Sequence, residues 1–203
     1  RWSLSVQAER EYDVRFVENW QTAFTEIAQS HEKVLVIAPS ELVAAFNLET
    51  LQSPAVQVVS TPIGESAKSP EYLLQLWDAC GDFGLTRSDA IVGIGGGATT
   101  DLAGFVAATW LRGISWYAIP TSLAGMVDAS IGGKTGINSS FGKNLIGSFY
   151  SPNSVIVDRA FLKTLSTRDF NAGMAEVIKA GFIDNPKILD LADAAEKNVS
   201  ELI

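Results

Sequence analysis

Residues 90–101 read AIVGIGGGATTD, an apolar stretch that runs into a glycine-rich turn. The apolar part, residues 90–94, is typical of a buried strand, and a helix is expected after the turn. Gly95, Gly96 and Gly97 allow the chain to turn tightly, and a pyrophosphate could approach backbone N–H groups at the helix N-terminus there. The spacing differs from G-x-G-x-x-G, so a turn that serves packing alone remains an open alternative.

Predicted strands and helices alternate on both sides of this turn. The strands are residues 33–38, 55–60, 115–119 and 154–157, and the helices are residues 20–28, 41–46, 70–83 and 102–111. Such alternation predicts an α/β fold with a parallel sheet covered by helices. Residues 2–16 alternate apolar and polar side chains, as partly exposed antiparallel strands do, and residues 136–143 are a predicted β-hairpin.

The pattern changes after the last predicted strand. Residues 161–203 are predicted to be helical, with breaks near Ser166, Asn185 and Pro186. We therefore predict one domain over residues 1–160 and the start of an α-helical domain over residues 161–203. The chain begins at Arg1 without a methionine and ends inside a predicted helix, so we expect both termini to be fragment boundaries.

Composition limits the function classes. The chain has 203 residues, 47% of them hydrophobic, and a formal net charge of -8. An acidic protein is a poor partner for nucleic acid or an anionic membrane surface, although a local basic pocket for a phosphate can exist within it. Cys80 is the only cysteine, which excludes an intramolecular disulfide, and no signal-like start or bilayer-spanning apolar run is present. We expect a cytoplasmic protein.

Polar residues gather in the glycine-rich segment after residue 127. Asp128, Lys134, Lys143 and Asn144 lie where backbone is free to approach a ligand, and such lysines suit an anionic substrate. Solvated loop lysines are the ordinary alternative for each lysine taken alone. Asp101 is either an ordinary acid in the first turn of a helix or a hydrogen-bond partner for a ribose or carboxamide.

A second polar pair lies on a predicted helix. Glu176 and Lys179 are three positions apart, which places them on one helix face among small and apolar neighbours. An exposed ion pair is one interpretation. The other is a metal-ligating glutamate with a substrate-binding lysine beside it. Because His31 is the only histidine and lies far from this segment, a histidine-dependent metal site must be completed elsewhere.

Five strings together resemble the 3-dehydroquinate synthase family, in that family's order and spacing. They are GGGATTDLAGF, PTSLAGMVDASIGGKTGIN, GKNLIGSFYSPNSVIVD, FLKTL and GMAEVIKAGFI, and the resemblance covers roughly residues 64–183. It implies a Rossmann-like domain that holds NAD, a helical C-terminal domain with most of the metal ligands, and an active site between them. One departure concerns Pro39 and Ser40, where the family often places an acid for the adenosine ribose.

The resemblance also implies roles for individual residues. The catalytic and substrate-binding residues would be Asp128, Lys134, Lys143, Asn144 and Lys179, together with Arg112, which would reach the substrate phosphate of a neighbouring subunit in a homodimer. Glu176 would be one ligand of a catalytic zinc or cobalt ion, and the family's two histidine ligands are absent from this chain. The NAD contacts would be Glu65, Lys68, Gly97, Ala98, Thr99, Thr100, Asp101, Thr121, Ser122, Phe161, Leu162, Lys163 and Thr164, with Lys134 and Lys143 also near the cofactor.

The implied reaction converts the sugar phosphate 3-deoxy-D-arabino-heptulosonate 7-phosphate to 3-dehydroquinate and phosphate, a step of the shikimate pathway toward aromatic amino acids. NAD would act as a catalyst without net redox change. Because catalytic zinc normally has three protein ligands, we predict that the isolated chain binds NAD weakly and turns over nothing.

Other functions remain open on the sequence. Related sugar-phosphate cyclases, the 2-epi-5-epi-valiolone and 2-deoxy-scyllo-inosose synthases, share the cofactor, the metal and much of the pattern, although GGKTG after Asp128 favours the dehydroquinate branch. An iron- or zinc-dependent polyol dehydrogenase shares the glycine turn but does not need the phosphate-directed lysines. A noncatalytic NAD-binding module is a further alternative.

Overall fold

The structure is a computed structural model that describes residues 2–7 and 11–194. The strands are β1 (Trp2–Gln7), β2 (Glu11–Val17), β3 (Val34–Pro39), β4 (Val56–Thr61), β5 (Ala90–Gly95), β6 (Ser115–Pro120), β7 (Lys134–Ser139), β8 (Gly142–Phe149) and β9 (Ser154–Asp158). The α-helices are α1 (Trp20–Gln29), α2 (Ser40–Ala45), α3 (Pro70–Phe83), α4 (Gly97–Thr109), α5 (Thr167–Ile183) and α6 (Lys187–Ala194).

A seven-stranded sheet forms the centre of the fold, in the order β1-β2-β9-β6-β5-β3-β4. Strands β1 and β2 pair antiparallel, and every other neighbouring pair is parallel. The predicted parallel sheet with an antiparallel start is therefore confirmed. The chain runs from β3 outward to β4 and then returns to β5 on the other side of β3, so the strand order reverses between β3 and β5. Ligands of open parallel sheets bind at such a point, beside the carboxyl ends of the strands.

Burial explains why the central strands lack alternation. All residues of β3, β5 and β9 are buried, because helices cover both faces of a parallel sheet. Helix α4 is buried around most of its circumference, and its small residues let it lie close to the sheet and to the hairpin of β7 and β8. At about 25 cal/mol per Å² of apolar surface removed from water, these layers are the main stabilising contribution.

Local signals fix the ends of α3. The Ser69 hydroxyl accepts a hydrogen bond from the Tyr72 N–H at the start of the helix, and Pro70 occupies the first helical position. The helix ends at Gly84, whose φ of 67° is left-handed. The prediction of a helix over residues 70–83 is confirmed to the residue.

Two predicted elements, the helix after the glycine turn and the hairpin, differ from the observed ones by more than one residue. The helix predicted over residues 102–111 begins earlier, at Gly97, because the glycine turn is tight enough for the helix to start within it. It ends earlier, at Thr109, because Leu111 and Arg112 have φ of 50° and 66° in a following 3₁₀ turn. The hairpin is longer than predicted, since β7 and β8 pair from Lys134 with Phe149 to Ser139 with Gly142.

The predicted helical segment after β9 is only partly α-helical. Residues Arg159–Thr164 form a 3₁₀ helix, and α5 and α6 follow it, with breaks at the expected positions. The Ser166 hydroxyl accepts a hydrogen bond from the Asp169 N–H and starts α5. The prediction for residues 195–203 lies outside the described residues. No helix in the part of the chain that the structure describes is long and apolar enough to cross a membrane.

Candidate functional site

A cleft of about 530 Å³ opens between the N-terminal end of α4, the turn before β7, and the hairpin. Four of the predicted site residues line it, namely Asp101, Asp128, Lys134 and Asn144. The remaining lining residues are Ala129, Thr135, Gly136, Leu145, Gly147, Ser148 and Phe149. The structure therefore brings together polar groups that the sequence spreads over more than forty positions.

Asp128 lies on an irregular turn of helix between β6 and β7. Residues Gly125–Ala129 form a π-helical turn, in which the Ser130 N–H donates to the Gly125 carbonyl at 3.1 Å. Such turns are rare and occur often at functional sites. The turn places the Asp128 carboxylate 3.7 Å from the Lys134 ammonium and 3.6 Å from the Lys179 ammonium.

These ion pairs are partly open to solvent. The side chains of Asp128, Lys134 and Lys179 are 36%, 58% and 50% exposed. Exposed pairs of this kind contribute little to folding stability, typically about 0 to 1 kcal/mol.

Glu176 and Lys179 form the predicted ion pair on α5, and Lys179 also reaches Asp128. The hydrogen bond from Lys179 to Glu176 is the main reason that the pKa of Lys179 is raised, and Asp128 adds to it. Lys179 is thus held as a cation between two carboxylates. Within residues 2–7 and 11–194, no group of three or more His, Cys, Asp or Glu side chains could hold a metal ion. Glu176 could supply one ligand but does not form a metal site with the described residues.

The glycine turn provides no side chain that could cap the N-terminus of α4. No side chain caps the helix at Gly96. A Cβ atom on Gly95 would lie 2.5 Å from the Thr99 hydroxyl oxygen, and one on Gly97 would lie 2.7 Å from the Ala129 Cβ, so neither position accepts a side chain without a shift. An uncapped helix N-terminus at the carboxyl end of β5, beside the strand-order reversal, fits the phosphates of a dinucleotide.

Lys68 forms a buried link beneath the cleft. Its side chain is 1% exposed, and its ammonium donates to the Asp101 carboxylate at 2.6 Å and to the Asn144 side-chain carbonyl. Burial raises the pKa of Asp101, and the hydrogen bond and charge of Lys68 act against that increase. Lys68 is also a predicted cofactor contact, and its ammonium is bonded to these two protein groups.

Glu65, the other residue predicted from the same loop, is exposed and bonds to the hairpin. Its carboxylate accepts a hydrogen bond from the Asn138 side-chain amide at 2.7 Å. The Asn138 N–H in turn donates to the Lys68 carbonyl at 2.8 Å. These bonds attach the loop between β4 and α3 to strand β7.

The remaining predicted cofactor residues lie near the glycine turn or after β9. Thr99 and Thr100 are buried in the first turn of α4, with Ala98 half-buried before them. Thr121 is buried after β6, and the Ser122 hydroxyl accepts a hydrogen bond from the Gly125 N–H. The segment Phe161, Leu162, Lys163 and Thr164 follows β9 as part of a 3₁₀ helix, in which Phe161 is buried against Trp20 and Phe46.

Lys143 and Arg112, two of the predicted catalytic residues, are not among the residues that line the cleft. Lys143 is exposed on β8 and does not line it. Arg112 follows the C-terminal end of α4, whereas Asp101 lies in the first part of that helix. At about 1.5 Å of rise per residue, Thr109 at the end of α4 is about 12 Å along the helix from Asp101, and Arg112 lies beyond Thr109.

Sequence reasoning missed two residues that shape the site. The Tyr12 hydroxyl, on β2, accepts a hydrogen bond from the Gly132 N–H at 2.8 Å and holds the turn before Lys134. The Asn138 side-chain carbonyl accepts a bond from the Asn144 N–H at 2.9 Å, where Asn144 has a left-handed φ of 57°. Tyr12 had no local signal because its contact is distant in sequence, whereas Asn138 lies in the polar segment already considered.

Comparison with known proteins gives consistent matches. Residues 58–172 match the family described as 3-dehydroquinate synthase N-terminal. A 3-dehydroquinate synthase of Streptomyces avermitilis is 51% identical over 168 residues, which are 83% of this chain and 46% of the relative. The chain thus spans about half the length of the curated relatives it matches.

Two solved structures have the same fold with lower identity. The 2-epi-5-epi-valiolone synthase of Streptomyces hygroscopicus, solved with NAD+ and Zn2+ bound, has a TM-score of 0.84 at 28% identity, covering 99% of this chain and 57% of that one. A 2-deoxy-scyllo-inosose synthase in complex with carbaglucose-6-phosphate, NAD+ and Co2+ has a TM-score of 0.78 at 27% identity, covering 88% of this chain and 50% of that one.

Proposed function

The chain belongs to the 3-dehydroquinate synthase family, and from that premise we propose that it is the NAD-binding part of an enzyme that converts 3-deoxy-D-arabino-heptulosonate 7-phosphate to 3-dehydroquinate and phosphate. Residues 1–160 form the NAD-binding domain in this proposal, and residues 161–203 begin a helical domain. The observation that supports it best is the cleft where Asp128 lies within 4 Å of both Lys134 and Lys179.

NAD binding is assigned to the bare N-terminus of α4 and its surroundings. The N–H groups of the first turn bind the phosphates, and Asp101 accepts a hydrogen bond from the cofactor. The binding surface is completed by Thr121 and Ser122, which follow β6, and by residues 161–164, which follow β9. When bound, NAD supplies reversible hydride transfer, so the overall reaction needs no external oxidant.

The substrate is an anion, and the cleft contains the groups that recognise one. Lys134 in the cleft, Lys179 beside Asp128 and Lys143 next to Asn144 on β8 bind its carboxylate and phosphate. Their charges stabilise the negative charge that develops as phosphate leaves. Asn144 adds a neutral hydrogen-bonding group beside them. Asp128 keeps Lys134 and Lys179 near each other before the substrate binds.

A zinc or cobalt ion is part of the proposal for the intact protein. Glu176 supplies one ligand, and the other ligands come from outside the described residues. Since Glu176 forms no metal site with its described neighbours, we expect this chain alone to bind the metal weakly and to catalyse no turnover.

Arg112 supports a homodimer in this proposal. It follows Thr109, the last residue of α4, which is about 12 Å along the helix from Asp101 at about 1.5 Å of rise per residue, so Arg112 lies beyond the opposite end of that helix from Asp101. An exposed arginine at that position is available to a neighbouring subunit, where it binds the substrate phosphate. Size measurement of the intact protein, with Arg112→Ala turnover beside it, tests this assignment.

The main test measures phosphate release from the seven-carbon substrate by the intact protein. We expect turnover that needs NAD and a divalent metal, and a loss of at least about a hundredfold in Lys134→Met, since positioned charge of this kind contributes about 3 kcal/mol or more. Lys33→Met is the matched control, because the Lys33 ammonium donates to the carbonyls of Phe83 and Gly84 at the opposite end of the sheet from the cleft.

The same assay separates the alternatives. Turnover of a heptulose phosphate that lacks the carboxylate, without turnover of the carboxylated one, would indicate a related sugar-phosphate cyclase. NAD binding by the intact protein without turnover of either would indicate a noncatalytic module. Polyol oxidation that consumes NAD would indicate a dehydrogenase.

A further inference from the structure

Lys68 is a buried lysine whose ammonium contacts two groups of the cleft. It donates to Asp101 Oδ2 at 2.6 Å and to Asn144 Oδ1, and its side chain is 1% exposed. The two partners belong to different parts of the chain, because Asp101 is on α4 and Asn144 is on β8. A group this buried has almost no surface left for a ligand.

The chemistry of these two contacts fixes what each partner presents to the cleft. An ammonium is only a donor, so the Asn144 amide must turn its carbonyl oxygen toward Lys68 and is left with its N–H groups for the cleft. Asp101 uses Oδ2 on Lys68 and is left with Oδ1, which is an acceptor. Both residues line the cleft. Lys68 therefore determines that Asn144 presents hydrogen-bond donors to the cleft and that Asp101 presents an acceptor.

We propose that Lys68 is a positioning residue that orients Asn144 as a donor toward the anionic substrate and Asp101 as an acceptor toward the cofactor. This inference rests on the proposed function and adds a role for Lys68 that acts through its two partners. Lys68 fits the task because a lysine carries three N–H donors and can serve two acceptors at once.

The backbone supports the same arrangement. The Asn138 N–H donates to the Lys68 carbonyl, and the Asn138 side-chain carbonyl accepts from the Asn144 N–H. Asn144 is thereby held at its left-handed φ of 57°. The Lys68 loop and the Asn144 strand are therefore joined through both backbone and side chains, so the orientation of the amide is built into the fold.

The test uses the intact protein and two separate binding readouts. In Lys68→Met, we expect the Kd for NAD and the KM for the phosphorylated substrate each to rise about ten- to hundredfold, the usual effect of losing a hydrogen bond to a charged group. NAD binding is measured by calorimetry, so it needs no turnover.

Two double-mutant cycles identify the route of the effect. The effect of Lys68→Met on KM should disappear in an Asn144→Ala background, and its effect on the Kd for NAD should disappear in an Asp101→Asn background. If both effects keep their full size in those backgrounds, Lys68 contacts the ligands directly and the inference is wrong. It is equally wrong if Lys68→Met changes neither constant.

A pH profile provides a readout that a purely structural role would not change. The charged groups that act on Asp101 are Lys68, Glu65 and Lys134. Without Lys68 the pKa of Asp101 should rise, so NAD affinity should decline at a higher pH in Lys68→Met than in the wild type. Lys33→Met, a lysine bonded to carbonyls away from the cleft, should leave that profile unchanged.

Two further results distinguish a failure of this inference from a failure of the proposed function. If the wild-type protein binds no NAD, the proposed function fails first. If Lys68→Met does not fold, Asp101→Asn still decides, because its amide must turn the carbonyl oxygen to Lys68 and present N–H groups to the cleft. The inference requires Asp101→Asn to bind NAD at least tenfold more weakly, because losing a hydrogen bond to a charged group reduces affinity by about tenfold or more. An unchanged affinity of Asp101→Asn for NAD would overturn the inference.

Discussion

Gly173 offers the sharpest test of how α5 is placed against the cleft. It lies on the buried face of α5, where an added Cβ would be 2.5 Å from the Leu123 Cβ and 2.8 Å from the Ala124 backbone nitrogen. Carbon atoms pack at about 3.5 to 4.0 Å, so Gly173→Ala requires a shift of about 1 Å between α5 and the segment after β6.

Two effects on stability oppose each other in this variant. Replacing a glycine within a helix by alanine stabilises the helix by about 0.5 to 1 kcal/mol. Forcing a methyl group into a filled contact costs about 1 to 3 kcal/mol. We therefore expect a net loss of about 0 to 2.5 kcal/mol in the free energy of unfolding.

The consequence for activity should be larger than the consequence for stability. The same helix holds Glu176 and Lys179, and Lys179 lies 3.6 Å from Asp128. A displacement of about 1 Å at catalytic groups can reduce turnover about a hundredfold. Gly173→Ala should thus lose most of its turnover while the protein remains folded.

Gly81→Ala is the matched control for this substitution. Gly81 lies within α3, and its added Cβ would meet Trp110 at an ordinary 3.6 Å. It should raise the free energy of unfolding by about 0.5 to 1 kcal/mol without changing turnover. Denaturant unfolding and phosphate release of the intact protein are measured for both variants. Wild-type turnover in Gly173→Ala, or an equal loss in Gly81→Ala, would refute the reasoning.

Three other predictions concern groups away from this contact. Tyr12→Phe leaves the Gly132 N–H without its acceptor and should cost about 1 to 3 kcal/mol in denaturant unfolding; an unchanged midpoint contradicts it. Burial alone would raise the pKa of Asp89, but hydrogen bonds led by those from Thr86 lower it overall. The stability that Asp89 adds is therefore present above its unfolded pKa of about 3.9 and is lost as pH falls through the lower folded pKa. Asp89→Asn should weaken this pH dependence, which is measured by acid titration of the free energy of unfolding. Burial raises the pKa of the Cys80 thiol to about 12, so alkylation at neutral pH should require denaturant, and rapid labelling of the folded protein would show otherwise.

The parts of the fold that were predictable are those fixed by local chemistry. Continuous apolar runs such as β3 and β5 identify strands that are buried on both faces. Ser69, Pro70 and Gly84 fix both ends of α3 from its own sequence. The start of α4 was less predictable, because the glycines that permit a turn also permit a helix to begin within it.

The site was predictable by residue type and less so by partner. Asp101, Asp128, Lys134 and Asn144 were all expected at a ligand site, and all four line the cleft. The link through Lys68 could not be expected from spacing, because it depends on the left-handed backbone of Asn144 and on a loop that precedes α3. Contacts of this kind follow from the tertiary arrangement alone.

The charges near the cleft bear on the proposal that this acidic chain binds an anion. Asp128 and Glu176 balance Lys134 and Lys179 in the described structure, so no excess of positive charge has to be tolerated before a ligand arrives. An incoming anion competes with these carboxylates for the same lysines. A ligand that binds the carboxylates therefore strengthens binding of the anion. By thermodynamic linkage, the anion strengthens binding of that ligand by the same factor. A cation at Glu176 and an anion at Lys179 should thus bind better together than separately, because the two side chains lie one helical turn apart and form an ion pair with each other.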